Sequence, residues 1–556
     1  MYVKKKTLKE LFELAVKEYA TRPALAYYDS EPITYKELGE RVRALSNFLK
    51  EKGVKKGDKV AIIGENSPNW GIAYLSIVTM GAVVVPILPD FHAEDIAHII
   101  SHSESKIVFV TQQQMDKLLE VEVKGVELVI SLDDFVPEFS FAKTEPISKL
   151  IGKASEILKT IPEKVGLLSS EIKEEDLASI IYTSGTTGHS KGVMLTHKNI
   201  VSNIEQIDDY FGLTPEDRLL SILPLSHAYE CTLAFLYPLS VGCCIYYLGK
   251  KPTPKLLLEA ASKVKPTVMA AVPLIMEKIY KKHVLPVLRR NLMIKLLSST
   301  PFVRRALYRK IGKKLVESFG GELRTLAFGG APLNRELEIF LKEANFPYAV
   351  GYGLTETSPV LTGMRDEELR IGSCGRPLKD VEVKIVNPDP ETGVGEIWVR
   401  GPNVMKGYYK NKELTREVLE EDGWLKTGDL GYLDKDNYLY IRGRSKSVIL
   451  GPSGENIYPE AIEEKINMHP YVSESLVVER NGGLVALIYL EYSMLEDKLE
   501  NKSEEDRERI IKEILEKIRR DVNEKLPSYA KLKECIEHPE PFEKTPTHKI
   551  KRYLYQ

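Results

Sequence analysis

Apolar and polar residues alternate along the first part of the chain in a pattern that predicts strands separated by helices. Between 34 and 110, the apolar runs "KVAIIG", "VVVPIL" and "KIVFV" are separated by the helix-like stretches "NWGIAYLSIVTMGA" and "AEDIAHIISHSES". Short, fully apolar strands that alternate with helices are typical of a parallel sheet covered on both faces. Residues 199–350 repeat this alternation, so we expect an α/β protein whose large domain holds two doubly wound sheets.

The pattern changes twice in the second half of the chain. From 372 to 443, short alternating strands such as "VEVKIV" and "GEIWVRG" lie between turn residues, which predicts a small β-barrel-like unit. Beyond this unit, an apolar strand "LVALIYLEY" and a charged helix at 503–525 predict a small α+β domain. We therefore predict an N-terminal domain at 1–443, a hinge at 444–446 and a mobile C-terminal domain at 447–556.

Composition and charge exclude several classes of protein. The chain has 556 residues, too many for one core, and its net charge of −2 gives no support for nucleic-acid binding. Its five cysteines lack CxxC and metal-ligand spacing, which favours free thiols in a reducing compartment. The N-terminus reads as an amphipathic helix rather than a signal peptide, and the longest apolar runs are too short to span a bilayer. We therefore expect a cytoplasmic protein.

A Gly/Ser/Thr-rich loop follows the apolar run that ends at Tyr182. Such a loop exposes backbone N–H groups and hydroxyls, which suit an anion, and a lysine at its far end suits phosphate. The spacing matches neither a Walker A motif, because Ser190 stands where a glycine is needed, nor the dinucleotide-binding fingerprint. We predict a phosphate cradle formed by Thr183, Ser184, Gly185, Thr186, Thr187, Gly188 and Lys191.

Several later segments place charged residues beside strand ends and turns. "VGYGLTETSP" contains Glu356 beside hydroxyls, "WLKTGDLGY" contains Asp429 in a tight turn, and "EKTPTHKIKR" contains Lys549. "TLAFGGAPL" ends a strand in a Gly-Gly turn. Strand ends of parallel sheets are where α/β proteins bind ligands. A phosphate loop, a carboxylate suited to a metal ion, a ribose-type aspartate and a late lysine together indicate chemistry on ATP.

At this point the chain resembles the adenylate-forming superfamily, which includes acyl-CoA synthetases, firefly luciferase and adenylation domains. "YTSGTTGHSKGV", "GGAPL", "YGLTE", "TGD", "GRSKS", "GENIYP" and "HKIKR" occur in the family order, and the resemblance covers roughly residues 8–556. It implies two steps. A carboxylate attacks the α-phosphorus of ATP and expels pyrophosphate, and the thiol of CoA then attacks the acyl-adenylate and expels AMP. ATP, Mg²⁺ and CoA as co-substrate are the implied cofactors.

The resemblance also implies roles for individual residues. The loop Thr183–Lys191 would wrap the β- and γ-phosphates, Thr355 would reach the α-phosphate, and Glu356 would hold Mg²⁺. Gly330, Ala331, Pro332, Gly351 and Tyr352 would line the adenine, and Asp429 and Arg444 would bind the ribose hydroxyls.

Two lysines near the C-terminus carry the mechanism in this resemblance. Lys549 would bridge the substrate carboxylate and the α-phosphate during adenylation. Lys446 stands at the hinge position, about which the family rotates its small domain between the two half-reactions. That rotation would withdraw Lys549 and bring in the "GENIYP" face for the thiol.

The substrate acid is less determined by the sequence. In acetyl-CoA synthetases a tryptophan closes the pocket at the position of Gly353, so glycine there would leave room for a longer chain. "LPLSHAYE" supplies His227 and Tyr229 and resembles the "HxxE" version of long-chain acyl-CoA synthetases, beside the carboxylate site. His227 is therefore a candidate catalytic residue, with a structural histidine as the alternative. Tyr229, Gly329 and Gly353 are assigned to the acyl pocket.

A basic segment at 278–314 has twelve Lys or Arg and no Asp or Glu, with apolar residues at helical spacing. Such segments favour anionic membrane surfaces, and long-chain synthetases carry a comparable insertion. A solvated helix face and a site for CoA phosphates remain alternatives. We expect fatty acid and CoA as partners, a peripheral membrane contact through this segment, and leave a homodimer open.

Within this superfamily, the motifs resemble most closely those of long-chain fatty acid–CoA ligases. The alternatives are a fatty acyl-AMP or acyl-carrier-protein ligase, an aryl or medium-chain acid–CoA ligase, and a non-catalytic binding relative. The presence of all five of Lys191, Glu356, Asp429, Arg444 and Lys549 argues against the last, because binding alone would not need them all.

Overall fold

The computed structural model describes residues 3–133, 145–146, 171–183, 190–289, 300–451, 455–545 and 549–556. It confirms the alternation expected near the N-terminus. The three predicted strands lie at Lys59–Ile63, Val83–Ile87 and Ser105–Val110, and the helices between them are Pro68–Thr79 and Ala93–Ser103. The strands are almost fully buried, as continuous apolar runs in a covered parallel sheet must be.

One sheet has eight strands. In spatial order they are Gly407–Tyr408, Lys191–Thr196, Leu177–Thr183, Val83–Ile87, Lys59–Ile63, Ser105–Val110, Leu128–Ser131 and Glu145–Pro146. The last six run parallel, and the first two are antiparallel to their neighbours. The predicted phosphate loop therefore joins two antiparallel strands, whose register sets Thr183 opposite Lys191.

A second sheet has nine strands. In spatial order they are Arg376–Pro377, Val360–Arg365, Tyr348–Gly353, Thr325–Phe328, Val268–Ala271, Arg218–Ser221, Cys244–Tyr247, Pro23–Tyr27 and Ile33–Thr34. Tyr348–Gly353 to Pro23–Tyr27 run parallel. The sequence pattern did not anticipate that a strand from the N-terminus joins this later half of the chain, with Leu25 opposite Ile245. Such pairing is long-range and leaves no local signal.

Helices cover both sheets. The longer α-helices are Leu8–Glu18, Tyr35–Glu51, Pro68–Thr79, Ala93–Ser103, Gln112–Leu119, His197–Phe211, Pro254–Val264, Pro273–Ile279, Pro301–Ser318, Arg335–Glu343, Lys412–Val418, Pro459–Asn467 and Glu504–Asn523. The shorter helical segments are Ala228–Glu230, Cys231–Leu236, Tyr237–Ser240, Tyr280–Val284, Leu285–Arg289, Thr355–Thr357, Asp366–Glu368, Ser445–Ser447, Tyr492–Met494, Glu496–Leu499, Ser528–Ala530 and Arg552–Leu554. In the described ranges, none of the helices is both long and apolar enough to cross a membrane.

The β-rich unit is a four-stranded antiparallel sheet of Glu382–Val386, Gly395–Arg400, Leu425–Leu433 and Leu439–Arg444, in that spatial order. It begins at Glu382 rather than at 372, because Arg376–Pro377 pairs with the nine-stranded sheet. The C-terminal α+β domain contains a small hairpin of Ile449–Leu450 and Asn456–Ile457. Its main sheet is Val472–Arg480, Gly483–Leu490 and Leu532–Glu537, packed against the helices Pro459–Asn467 and Glu504–Asn523.

The two large sheets share one apolar core. Trp70, on the helix after Lys59–Ile63, stacks on Tyr74 with ring centroids 5.4 Å apart. Phe235, on the helical turn after Arg218–Ser221, packs edge-on against Trp70 at 6.1 Å. All three rings are buried, so helices belonging to different sheets interlock and hold the carboxyl ends of their strands beside one cleft.

His197 lies in this core at the first turn of the helix His197–Phe211. It is fully buried, and its Nδ1 accepts a hydrogen bond of 3.2 Å from the Leu8 backbone N–H. Burial lowers the pKa of His197 to about 4, against the attraction of the Asp176 carboxylate. The histidine is therefore neutral in the folded protein near pH 7.

We expect His197→Gln to flatten the acid limb of the stability curve. An unfolded histidine binds its proton below about pH 6.5. Because the folded side chain does not bind one until about pH 4, stability is lost as pH falls through this window, by about 1.4 kcal/mol per pH unit. Thermal unfolding midpoints of both proteins between pH 4 and 8 test this, and parallel curves would contradict it.

Candidate active site

The predicted site residues come from the ends of strands in both large sheets and meet at one cleft. Thr183 ends a strand of the eight-stranded sheet, and Thr355 follows the strand Tyr348–Gly353 of the nine-stranded sheet. The loop residues Ser184, Gly185, Thr186, Thr187 and Gly188 lie outside the described residues. Two members of the predicted cradle are described: Lys191, and Thr183, whose hydroxyl is buried without a hydrogen-bond partner in the described ranges.

Lys191, Glu356 and Tyr408 form a compact polar cluster. Lys191 Nζ lies 3.0 Å from Glu356 Oε1 and 2.6 Å from the Tyr408 hydroxyl, which donates to the same carboxylate oxygen at 2.8 Å. Burial disfavours ionisation of Glu356, but the Lys191 ammonium and these hydrogen bonds outweigh it, so the pKa of Glu356 lies below its usual value. The cluster thus keeps a carboxylate and an ammonium charged side by side.

Local backbone contacts explain how Glu356 reaches this position. It lies in the short helical turn Thr355–Thr357, and its carbonyl accepts a hydrogen bond of 2.8 Å from Met405 N–H. The buried Asn403 amide donates to the carbonyls of Thr357 at 2.8 Å and Val360 at 3.1 Å. The segment 403–408 therefore ties the turn with Glu356 to the sheet edge with Lys191.

Asp429 and Arg444, which are predicted to bind the ribose hydroxyls, form a second cluster. They lie opposite each other on neighbouring antiparallel strands, with Arg444 Nε 3.2 Å from Asp429 Oδ1. The Tyr352 hydroxyl donates to Asp429 Oδ2 at 2.7 Å. Burial raises the pKa of Asp429, while Arg444, the Tyr352 hydrogen bond and Lys549 oppose that rise. Asp429 is 5% exposed and contacts Tyr352 and Arg444, the two residues that are predicted to bind the nucleoside.

Lys549 lies in the same cleft although it comes from the end of the chain. Burial lowers its pKa, the Arg444 charge lowers it further, and the carboxylates of Asp429 and Glu356 oppose both effects. Part of the Lys549 surface is exposed to solvent, and the influence of both carboxylates on its pKa indicates that the lysine lies within electrostatic range of them. Its backbone N–H donates to the Thr545 hydroxyl at 3.2 Å, and Thr545 N–H donates to its carbonyl at 2.7 Å.

The segment that carries Lys549 is anchored by a buried ion cluster. The Arg552 guanidinium bonds to the Glu463 carboxylate and lies 3.8 Å from that of Glu460. Burial raises the pKa of Glu463 to about 7, against the charge of Arg552. This clamp fixes the lysine segment to the helix Pro459–Asn467 within the C-terminal domain.

The predicted adenine loop follows the strand Thr325–Phe328. Gly330, Ala331 and Pro332 are exposed, and Gly330 has a φ of +79°, a conformation that favours glycine. A Cβ on Gly329 would lie 2.9 Å from the ring of Tyr229. The Tyr229 hydroxyl donates to the Ala327 carbonyl at 3.0 Å, so the ring is fixed beneath the loop.

The strand Tyr348–Gly353 contains glycines because neighbouring backbone atoms approach it closely, and not because a ligand needs the space. A Cβ on Gly353 would lie 1.8 Å from the Pro359 carbonyl oxygen, and one on Gly351 would lie 3.1 Å from that of Thr362. Gly353 therefore permits a close pass of two backbones at a bulge in the register. The interpretation that this glycine opens the acyl pocket is corrected, because its missing side chain would point into the neighbouring strand.

His227 and Glu230 lie beyond the strand Arg218–Ser221. Burial and the Lys549 charge lower the pKa of His227 to about 4, so it is a neutral imidazole whose Nδ1 accepts from Tyr229 N–H at 3.3 Å. Burial raises the pKa of Glu230 to about 8, against a hydrogen bond of 2.7 Å from the Ser221 hydroxyl. The influence of the Lys549 charge on its pKa indicates that His227 lies within electrostatic range of that lysine.

Glu356 fits a magnesium ion bound mainly through phosphates. Within the described ranges, no group of three or more His, Cys, Asp or Glu side chains could hold a metal by itself. Mg²⁺ typically combines one or two carboxylates with water and substrate phosphates, which a single carboxylate beside the phosphate loop satisfies. Lys446, the predicted hinge residue, is exposed in the turn Ser445–Ser447, directly after Arg444.

Tyr408 is the residue that sequence reasoning missed. It is 3% exposed, and its bonds reach residues 217 and 52 positions away. The local sequence "MKGYYK" carries no charge pattern or nucleophile that would single it out. Only the antiparallel pairing of Gly407–Tyr408 with Lys191–Thr196 brings it to the site.

Comparison with known proteins identifies relatives of the whole arrangement. A family model described as AMP-binding enzyme matches residues 12–409. The chain is 31% identical to 4-coumarate–CoA ligase-like 2 of Arabidopsis thaliana, over 80% of this chain and 74% of that protein. It is 31% identical to long chain acyl-CoA synthetase 4 of the same plant, over 82% and 73%. The structure of ATP-bound MatB from Rhodopseudomonas palustris superimposes with a TM-score of 0.76 at 25% identity, covering 99% and 98%.

We expect Tyr408→Phe to weaken the binding of Mg·ATP roughly tenfold, because one hydroxyl orients both charged groups of the cluster. Isothermal titration calorimetry measures this affinity. Tyr409→Phe is the matched control, since the Tyr409 hydroxyl donates at 3.3 Å to the exposed Glu104 carboxylate, outside the Lys191 cluster. Equal affinities for the two variants would contradict the orienting role.

Proposed function

Since the chain belongs to the family of AMP-binding enzymes, we propose that it activates a long-chain fatty acid with ATP and transfers the acyl group to CoA. AMP-forming ligation of an acid to CoA is the coarser activity, and relatives named for 4-coumarate and for long-chain acyl groups both support it. The long-chain acid is the finer proposal. Cytoplasmic location and a peripheral membrane contact belong to the same proposal.

One observation carries the adenylation chemistry. Lys549 shares a cleft with Glu356 and Asp429, close enough for their charges to shift its pKa. A lysine beside a phosphate loop, a carboxylate suited to magnesium and a ribose-type aspartate is what attack of a carboxylate on ATP requires. A protein that only binds a nucleotide would not require the lysine, the phosphate loop and both carboxylates together.

In the first step, an oxygen of the acid forms a bond to the α-phosphorus and the bond to the pyrophosphate oxygen breaks. Lys549 would hold the attacking carboxylate against the α-phosphate and offset the negative charge that gathers there. Thr355 would donate a hydrogen bond to an α-phosphate oxygen. Lys191 would bind the β- and γ-phosphates and offset the charge of the leaving pyrophosphate. Glu356 would hold Mg²⁺, which supplies neutralisation of the phosphate charge when bound.

In the second step, the CoA sulfur forms a bond to the acyl carbon and the bond from that carbon to AMP breaks. Lys549 is not needed for this attack. We propose that the C-terminal domain turns at Lys446 and presents the "GENIYP" segment to the thiol. The exposure of Lys446 in a single short turn supports a pivot there.

The His227 segment and the basic segment support a long-chain acid. Gly353 gives no such support, because the space beside it is occupied by the Pro359 backbone. The neutral His227 and the fixed ring of Tyr229 would line the entrance to the acyl site. Alternatives within the enzyme class are transfer to a carrier protein, release of the acyl-adenylate, and an aryl or medium-chain acid. CoA dependence and chain-length preference separate them.

The basic segment supports a membrane contact, though with fewer cations than the sequence count suggested. The described part of the segment covers 278–289 and 300–314. Arg304 pairs with Glu343, Nε to Oε2 at 2.7 Å, and Lys281 donates to the Val472 carbonyl at 3.3 Å, so neither is free for lipid. Five further cations on the helix Pro301–Ser318 are exposed and form no ion pair with described acidic residues: Arg305, Arg309, Lys310, Lys313 and Lys314.

Phe302 adds an apolar anchor at the start of this helix. Its side chain is 83% exposed, and Val287 and Leu274 are about half exposed, at 47% and 46%. Exposed apolar residues beside unpaired cations are typical of surfaces that contact anionic lipid.

Pyrophosphate release with saturated acids of increasing length, with and without CoA, tests the proposed function. We expect multiple turnover that depends on CoA and peaks with acids of twelve or more carbons. Lys549→Ala should slow acyl-adenylate formation roughly 10²- to 10³-fold. A stoichiometric burst that CoA cannot turn over would indicate a carrier-protein ligase, and release only with short or aromatic acids would contradict the long-chain substrate.

Co-sedimentation with vesicles containing anionic phospholipid tests the membrane contact. Each cation near such a surface contributes about 1 kcal/mol, so the double variant Arg305→Glu and Arg309→Glu should bind at least tenfold more weakly. The double variant Lys512→Glu and Lys517→Glu changes the net charge equally on an exposed helix of the C-terminal domain. Equal losses for both would indicate an unspecific charge effect.

A further inference from the structure

The helix Pro459–Asn467 of the C-terminal domain docks on the N-terminal domain through one face. Glu464 Oε1 accepts a hydrogen bond of 2.9 Å from the Arg335 backbone N–H, and its backbone carbonyl accepts one of 3.3 Å from the Asn334 side chain. These bonds span 129 and 130 positions of sequence. They cross from the domain that carries Lys549 to the domain that carries the adenine loop.

The N-terminus of the helix Arg335–Glu343 explains why a carboxylate is favoured there. Asn334 is its N-cap, and the Asn334 side chain accepts from the N–H groups of Glu336 at 2.8 Å and Leu337 at 3.2 Å. The N–H of Arg335 would otherwise have no partner within the helix. Glu464 satisfies that donor and places a negative charge at the positive end of the helix.

Two neighbouring contacts extend the same docking face. Met468 lies one turn beyond Glu464 and is 8% exposed, because it packs into the apolar cluster of the N-terminal domain around Tyr280 and Phe340. Further along, Lys281 donates to the Val472 carbonyl at 3.3 Å. Burial lowers the pKa of Lys281, and Glu277 and Glu491 oppose that effect. The face thus combines one ionic cap, one apolar contact and one charged hydrogen bond.

The position of this contact connects it to catalysis. The helix Arg335–Glu343 begins three residues after Pro332, the last of the residues that are predicted to line the adenine. The helix that bears Glu464 also bears Glu463, which holds Arg552 and hence the segment with Lys549. Glu464 contacts the helix after the predicted adenine loop, and Glu463 on the same helix holds the segment that carries Lys549. The helix Pro459–Asn467 therefore couples the adenine loop to Lys549.

We propose that Glu464 is a positioning residue for adenylation, which docks the C-terminal domain on the helix after the adenine loop and so holds Lys549 in the cleft. This inference rests on the proposed function, because it concerns the first of two half-reactions. Glu464 itself touches no reacting atom. Once the domain turns, the Arg335 N–H exchanges its carboxylate partner for water, so the contact belongs to the adenylation arrangement alone.

The test separates the two half-reactions in the full-length protein. Single-turnover pyrophosphate release from acid and Mg·ATP measures the first, and thioester formation from preformed acyl-adenylate and CoA measures the second. We expect Glu464→Ala to slow the first roughly fivefold and leave the second unchanged or faster. Glu464→Gln, which keeps an acceptor oxygen, should lose less. Lys281→Met should give the same split between the two half-reactions.

Glu508→Ala is the matched control, because Glu508 is an exposed glutamate of the same domain whose side chain forms no ion pair or hydrogen bond with the residues that the structure describes. Hydrogen exchange over 330–343 gives a second readout that does not depend on activity. Exchange in this segment should accelerate at least fivefold in Glu464→Ala and not in Glu508→Ala. Accelerated exchange with a selective loss of the first half-reaction supports the proposal.

Three results would overturn it or separate it from the proposed function. Unchanged adenylation and exchange in Glu464→Ala would overturn the docking role. Equal losses in both half-reactions of Glu464→Ala and Glu464→Gln would indicate a general structural role instead. If the unmodified protein releases no pyrophosphate with any acid, the proposed function fails, while the exchange measurement still decides whether Glu464 docks.

Discussion

The structure depends on one constraint, that two sheets must share a single apolar core. The stacked rings of Trp70 and Tyr74 come from the side of one sheet and Phe235 comes from the side of the other, and all are buried. Because these contacts fix the sheets relative to each other, loops from both reach one cleft. Lys191 then meets Glu356 across 165 positions of sequence. The shared packing therefore holds Lys191 beside its carboxylate partner.

The cleft contains several charged side chains, and each of its two largely buried carboxylates is paired with a cation. Glu356 is balanced by Lys191, and Asp429 by Arg444, with a tyrosine hydroxyl completing each pair. Buried charges are costly unless they are paired and hydrogen-bonded. The pKa of Lys549 responds to both clusters, because burial and Arg444 disfavour its charge while the Asp429 and Glu356 carboxylates favour it. The ammonium is therefore sensitive to where the C-terminal domain sits.

Much of the fold and the ligand-facing strand ends could be predicted from the sequence, because both follow from local patterns. Apolar runs such as Lys59–Ile63 and the alternation with helices appear directly as strands and helices. Long-range pairing has no such signal, which is why the strand Pro23–Tyr27 and the contribution of Tyr408 were not anticipated. Gly353 shows a second limit. A glycine in a motif can be required by the close approach of a neighbouring backbone, here that of Pro359, as well as by a ligand.

The packing of Tyr229 beneath Gly329, two residues predicted to line the acyl pocket, limits which substitutions are compatible at either position. A side chain at 329 would collide with a ring that cannot swing aside, because its hydroxyl is tied to the Ala327 carbonyl. The two positions are therefore expected to vary as a pair, with a larger residue at one requiring a smaller one at the other. Libraries that randomise one position at a time would miss the compatible combinations, whereas a small library covering both would sample them.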